Sequence, residues 1–288
     1  MSKSSSPPSL PRLTSGRRYS LAVVSCLMLL AGACSTAEPS LVDAPPPTTS
    51  IPAPTTSAAP QDLVVLVTND DGVEAVGLDV VVSALSEIDD IVVHVVVPSE
   101  NQSGVGDLVT DGAVPTNPGQ TVNGFAATVI DGTPGDAVAW SLRELDPQPD
   151  LIIAGPNEGQ NIGVFAEQSA IVGAGKVGAR SGVPALAVGL GVPAPFDFEQ
   201  SASIAIDWID EHRSSILDGS APADVTLINI PNCAEGGNFK GLIEVPVAET
   251  FGQRDPFATD CSTNPDSIID DVDAFLAGYA PISRVPAE

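Results

Sequence analysis

Short runs of aliphatic and β-branched residues recur along this chain, and each ends abruptly in Asn, Asp, Gly or Pro. They are LVVLVT before Asn69, IVVHVVV before Pro98, AATVI before Asp131, LIIA before Gly155, ALAVGL before Gly191 and VTLINI before Pro231. Runs so short, apolar at successive positions, suit strands buried on both faces of a parallel sheet. Helical patterns lie between them. One runs to about Glu87 with Leu78, Val81, Val82 and Leu85 on one face, and another from Thr133-Pro134 through Leu145 with Trp140 buried. Further helices are expected near Ser169–Ser181, over about Phe198–Leu217, and as a short last turn at Asp270–Gly278. Alternating strands and helices predict a layered α/β sheet with right-handed crossovers. Residues 99–124 read as loop with a short hairpin, and residues 232–265, with several Gly, Pro and Asn, as an irregular projecting arm.

The chain ahead of this domain reads as an export signal and a tether. Lys3, Arg12, Arg17 and Arg18 flank an apolar stretch from Leu21 to Leu30, too short for a permanent membrane span. It ends in Leu30-Ala31-Gly32-Ala33-Cys34, which resembles a bacterial lipoprotein cleavage box and would leave Cys34 as the lipidated N-terminus. An ordinary cleaved signal peptide is the other reading. Arg17-Arg18 loosely resembles a twin-arginine signal. Residues 35–60, rich in Pro, Ser, Thr and Ala, cannot bury enough surface to fold and predict an extended tether. The expected organisation is signal 1–34, tether 35–60 and a single domain 61–288, held at the outer face of the cell membrane by lipid on Cys34.

Charge and cysteines narrow the function classes. Four of the 11 Lys and Arg residues leave with the signal, so 7 basic residues face 37 acidic ones, a formal charge of −30. Such a surface excludes nucleic acid polymers as partners. It would also repel small anions, except where a metal ion reverses the local field. Cys233 and Cys261 remain in the domain, without a CxxC spacing or a neighbouring His, so a disulfide is expected rather than a zinc site. His94, inside an apolar run, and His212, on a helix surface, read as structural.

The chemistry concentrates where the first run ends, at Asn69-Asp70-Asp71-Gly72. Open α/β sheets place ligands just outside the carboxyl ends of their strands. Adjacent ionised carboxylates repel, and a shared proton or a divalent cation relieves them. Asp70 and Asp71 are therefore metal-ligand candidates; an Asp-Gly turn capping the next helix would explain the same residues. Two other strand ends offer oxygen donors, Asn101-Gln102-Ser103-Gly104 and Gly155-Pro156-Asn157. Two carboxylates, a hydroxyl and an amide suit a hard cation, Mg²⁺, Mn²⁺ or Ca²⁺. Glycines around these segments would let backbone N–H groups approach an anion.

In order along the chain, VTNDDGVEAVGL (67–78), NQSGVG (101–106), DGTPGDAV (131–138), PDLIIAGPNEGQNIG (149–163), GVPALAVGL (182–190), LINIP (227–231) and DVDAFLAGYAPISRV (271–285) resemble the SurE family of 5′/3′-nucleotidases, divalent-metal phosphomonoesterases. The resemblance covers nearly the whole domain. It implies a Rossmann-like core, a layered and mostly parallel sheet with helices on both faces. It also implies a C-terminal arm used in forming a homo-oligomer, dimer or tetramer. The implied metal ligands are Asp70, Asp71, Ser103 and Asn157, with Asp70 and Asp71 also catalytic and Asn69, Asn161 and Ser169 on substrate phosphate. The chain departs from the family at Glu100, where an Arg is usual, and near Asp107-Leu108, where a polar residue (commonly His) followed by Ser is usual. It departs again at 168–172, where YSGTV reads Gln168-Ser169-Ala170-Ile171-Val172. The expected function is an exported, lipid-anchored phosphomonoesterase acting on nucleoside monophosphates. Its alternatives are a non-catalytic lipoprotein that binds metal, nucleotide or another anion, and an envelope interaction module that uses the fold alone.

Overall fold

The computed structural model describes residues 61–233 and 236–288. The export signal, Cys34 and the 35–60 tether lie outside the described residues. In chain order the elements are β1 (Leu63–Thr68), α1 (Val76–Ser86), β2 (Ile91–Pro98), β3 (Thr116–Gln120), β4 (Ala126–Ile130), α2 (Pro134–Glu144), β5 (Leu151–Asn157), α3 (Phe165–Gln168), α4 (Ala170–Arg180), β6 (Ala185–Leu190), α5 (Phe198–Leu217), β7 (Val225–Ile230), β8 (Leu242–Glu244), α6 (Asp271–Leu276) and β9 (Ala280–Val285). Among the described residues nine strands form one sheet in the order β3-β4-β2-β1-β5-β6-β7-β9-β8. Pairing is parallel except at β3–β4 and β7–β9. This is the layered, mostly parallel α/β sheet that the sequence predicts.

The apolar runs are unbroken because both faces of the sheet are covered. Leu63, Val65 and Val67 of β1 pack with Leu78, Val81 and Val82 of α1 and with Ala205 and Ile209 of α5. Leu66 points the other way, into a cluster with Val138 of α2 and Ile171 and Val172 of α4. Each such side chain contributes about 1.5–3 kcal/mol when fully withdrawn from water. Helix α2 starts at Thr133, whose hydroxyl accepts the Asp136 N–H at 3.0 Å while the Asp136 carboxylate accepts the Thr133 N–H at 2.9 Å. Pro134 opens the helix with its φ already set.

Some elements differ from expectation. Trp140 is half-buried at the flank of the α2 cluster, because α2 turns its Ala137–Val138 face inward. Within 99–124 only β3 is a strand; its antiparallel partner is β4 at 126–130, so the hairpin straddles the end of the segment read as loop. The four-residue α3 is too short to leave a period in the sequence. Strand β9 has no unbroken apolar run; it contains Pro281, and its burial is interrupted at Ile282 and Arg284.

Residues 236–265 are largely irregular, as the sequence suggests, but they are tied back to the body. Val245 N–H donates to the Ile282 carbonyl at 3.1 Å and Asp260 N–H to the Leu276 carbonyl at 2.8 Å. Cys233 and Cys261 form the expected disulfide. His212 bonds the Trp208 carbonyl and stacks on the Trp208 ring, a structural position. The fully buried Asp271 is the deepest of these ties. It accepts the Gly163 N–H and the Ala248 N–H, each at 2.8 Å, and burial holds its carboxyl above the usual range. Asp271→Ala orphans both donors and should lower the unfolding free energy by about 2–4 kcal/mol, read from urea denaturation.

Candidate metal and phosphate site at the β1–β5 crevice

Strand β1 leads into α1 on one face of the sheet, whereas β5 leads through α3 into α4 on the other. Their connections diverge, and a crevice opens between their carboxyl ends, the usual ligand position in open α/β sheets. Asn69, Asp70 and Asp71 sit at one lip and Asn157 at the other. The loop after β2 closes the third side.

Asp71 joins all three loops. Its Oδ1 accepts from Asn101 Nδ2 at 2.9 Å, and its Oδ2 from the Glu158 N–H at 3.3 Å. The Gln102 N–H donates to the Asp70 carbonyl at 2.7 Å. Gly72 makes the tight exit from β1 possible, since its φ of 96° lies in the left-handed region. The Asn69 side chain clips that turn: its Nδ2 donates to the Gly72 carbonyl at 2.9 Å and its Oδ1 accepts the Gly72 N–H at 3.3 Å. Asn69, expected on substrate phosphate, thus also shapes the turn that presents Asp70 and Asp71.

Asp70 is 2% exposed, and its Oδ1 has no hydrogen-bond partner. The Ser103 hydroxyl lies against the same carboxyl. Burial, and then the neighbouring charge of Asp71, push the Asp70 pKa up to about 7. Burial also raises Asp71, opposed by its bonds from Glu158 and Asn101. Glu158 is raised by burial and then by Asp71, which places a third carboxylate beside the pair. Asn157 donates its Nδ2 to the Gly159 carbonyl at 3.0 Å, which leaves Oδ1 as its acceptor atom. An orphaned buried carboxylate oxygen, a second carboxylate, a hydroxyl and an amide oxygen together fit a hard divalent cation. Among the described residues no group of three or more His, Cys, Asp or Glu side chains is placed to hold a metal, so this site relies on two carboxylates and neutral oxygen donors.

The other expected phosphate residues stand further around the rim. Ser169 caps α4, its Oγ accepting the Val172 N–H at 3.2 Å, which leaves its own O–H to donate. The loop after β2 rests on this helix start. Gly106 N–H donates to the Gln168 carbonyl at 3.1 Å, and a Cβ on Gly173 would fall 2.0 Å from the Gly106 carbonyl oxygen. Only glycine at 173 lets the two segments meet. Asn161 is 6% exposed; its N–H donates to Asn229 Oδ1 at 2.6 Å and its Nδ2 to the Gly159 carbonyl at 3.0 Å. The structure thus gathers Asp70, Asp71, Ser103 and Asn157 around the crevice, with Ser169 at an adjoining helix N-terminus and Asn161 beneath the 157–161 loop.

Asn101, read as one of the loop's oxygen donors, donates its Nδ2 to Asp71. Two contributors escaped the sequence reading. Asn229 lies in the VTLINI run, yet nothing in its spacing marks it as a partner of Asn161. Glu158 follows Asn157 directly, and its acidic character could have flagged it.

The Asp70 shift fixes the sign of a stability effect. The folded state holds a proton to about pH 7, whereas an unfolded aspartate loses it near pH 4. Metal-free protein therefore loses stability as pH rises from about 4 through 7 and stays weakened above. Asp70→Asn should match the parent near pH 4 and exceed it by a few kcal/mol at pH 8 without metal, measured by denaturant unfolding at both pH values.

Residues 65–249 match the family model described as "Survival protein SurE". The chain is 36% identical over 170 residues to a protein of Methylococcus capsulatus named 5′-nucleotidase SurE, covering 58% of this chain and 64% of that one, just under two thirds of its length. It is 34% identical over 212 residues to the protein of the same name from Natronomonas pharaonis, covering 66% of this chain and 76% of that one. Its fold is similar to the crystal structure of the SurE protein from Aquifex aeolicus, with a TM-score of 0.61 and 25% identity, covering 78% of this chain and 94% of that one. A family match across the β1–β5 crevice, and relatives this similar, show that the chain belongs to the SurE family.

Proposed function

We propose that this chain is a divalent-metal-dependent phosphomonoesterase acting on nucleoside monophosphates. The observation that carries the reading is the buried Asp70 carboxyl with its unpartnered Oδ1 beside Asp71 at the sheet's crevice. Relatives named 5′-nucleotidase support the substrate class.

In this reading Asp70, Asp71, Ser103 and Asn157 hold Mg²⁺ or Mn²⁺, with Ca²⁺ as the third possible ion. A bound divalent cation supplies positive charge against the phosphoryl oxygens and lowers the pKa of water. Asp70 and Asp71 stand side by side at the site, and either carboxylate accepts the proton of a water nucleophile. Asn101 and the Glu158 N–H fix the Asp71 carboxylate so that it need not reorganise during the reaction. Ser169 O–H and the first N–H groups of α4 form an anion cradle on the positive end of the helix dipole. Asn161 holds the Gly159 peptide in place and so positions the loop. Self-association into a dimer or tetramer through the 232–265 arm belongs to the same reading, as does lipid anchoring through Cys34 outside the cell.

A second reading, a binding protein without turnover, has one observation in its favour. Ala170 and Ile171 are fully buried, Ile171 within the α4 cluster, so no hydroxyl stands at 171 to help hold phosphate.

Metal-stripped protein should release phosphate from nucleoside monophosphates only after Mg²⁺ or Mn²⁺ is restored, and Asp70→Asn should reduce the rate at least about 10³-fold. Tight metal binding with no phosphate release would decide for the binding protein. In a bacterial host that processes lipoproteins, the parent should label with fatty acid and sediment with membranes. Cys34→Ser should do neither.

A further inference from the structure

At the same carboxyl edge of the sheet, a cavity of about 450 Å³ opens over the ends of β6 and β7. Leu190 and Ile230 form its floor, Phe196, Asp197 and Gln200 at the start of α5 one wall, and Phe239 another. Its volume lies within the range of small-molecule sites. The cavity adjoins the metal crevice. Asn157 is paired in the sheet with Gly189, one residue before Leu190. Asn161 N–H donates to Asn229 Oδ1, one residue before Ile230. Gln160 Oε1 accepts the Val192 N–H at 3.1 Å across the gap. Neighbouring strands stand about 5 Å apart, so the cavity begins one to two strands from the loop that carries Asn157. Its aromatic wall is anchored to that loop as well: the Phe196 ring lies 5.8 Å from Phe198, which packs against Gly77 together with Pro156.

The lining chemistry selects one end of a ligand. None of the lining residues is Lys or Arg, so the cavity is unsuited to a phosphate. Phe196 and Phe239 bring two phenyl rings to the lining, the kind of group on which a base stacks. Asp197 offers a carboxylate whose Oδ1 already accepts the Gln200 N–H at 2.9 Å, with lone pairs remaining, and Gln200 adds a side-chain amide. Flat aromatic walls with carboxylate and amide groups suit a heterocycle that carries N–H donors.

We propose that this cavity receives the base of the nucleoside monophosphate, and that it favours purines bearing an exocyclic amino group over uracil. The inference rests on the phosphatase reading and deepens it by naming the leaving group. Cys233 lines the cavity and is bonded to Cys261, so the disulfide holds its outer rim.

The test uses phosphate-free probes on the full chain: guanosine, adenosine and uridine, titrated calorimetrically against the parent, Asp197→Asn and Phe239→Ala. Asn keeps an N-cap acceptor for α5, so Asp197→Asn should retain the parent's melting temperature. Guanosine and adenosine should bind the parent more tightly than uridine. Asp197→Asn should weaken guanosine about tenfold through loss of a charged acceptor, and Phe239→Ala should weaken both purines about tenfold through loss of stacking. If Phe239→Ala melts early, Asp197→Asn alone carries the test. Undetectable nucleoside binding, equal binding of uridine, or guanosine affinity unchanged in folded Asp197→Asn overturns the proposal. Nothing is turned over in this experiment. A protein that binds purines but releases no phosphate sinks the phosphatase reading alone, and an active phosphatase that ignores nucleosides sinks the base site alone.

Discussion

Withdrawing the Asp70 carboxylate from water beside Asp71 is expensive, and the protein's own hydrogen bonds offset only part of the cost. Ser103 lies against the Asp70 carboxyl, but Oδ1 has no donor. A buried carboxylate in this position must take up a proton or a cation. The surrounding structure holds the pair in place against that penalty. β1 is hydrogen-bonded on both sides by β2 and β5, its six residues are buried from both faces, and Asn69 clips the turn that follows. A looser sheet edge would let Asp70 swing into solvent, and the site would be lost with the strain.

The 157–163 loop is held by a carboxylate at each end. Asp71 accepts the Glu158 N–H and Asp271 accepts the Gly163 N–H. Between them, Asn157 and Asn161 both donate to the Gly159 carbonyl. The second oxygen of Asp271 reaches Ala248, so the irregular 236–265 segment and the crevice share one buried anchor. Arg254 secures the start of α6 by bonding Asp270 at 2.6 Å and Asp273 at 2.7 Å. The C-terminal part of the chain therefore acts as a brace for the loop that carries Asn157.

The sequence revealed what depends on local pattern. Strands covered on both faces must be apolar at successive positions, so β1, β2, β5, β6 and β7 could be read directly. Thr133-Pro134 announced α2. β9 could not be read this way, since its place beside β7 comes from antiparallel pairing across a separation that no local pattern encodes. The site divides along the same line. Asp70 and Asp71 were legible because adjacent carboxylates at a strand end are costly anywhere. Asn69 and Asn161 were legible as positions, but their bonds to Gly72, Gly159 and Asn229 were not, because an amide that closes a turn and one that binds phosphate look alike in sequence. Asn229 lies 68 residues from its partner Asn161, and only the fold brings them together.

The described basic residues are few and mostly paired with the protein itself. Arg180, Arg213, Arg254 and Arg284 each pair with aspartates other than Asp70 and Asp71, and Lys240 lies over the Tyr279 ring. In a chain this acidic, a phosphate near the crevice meets carboxylates first. Without a cation the field there repels it; with one, the same carboxylates become the means of recruiting positive charge. The N–H groups at the start of α4 add attraction that needs no basic side chain. In the proposed function, metal occupancy and anion affinity are thereby coupled through Asp70 and Asp71, and the acidity of the surrounding surface would strengthen that coupling by disfavouring any anion that arrives before the cation.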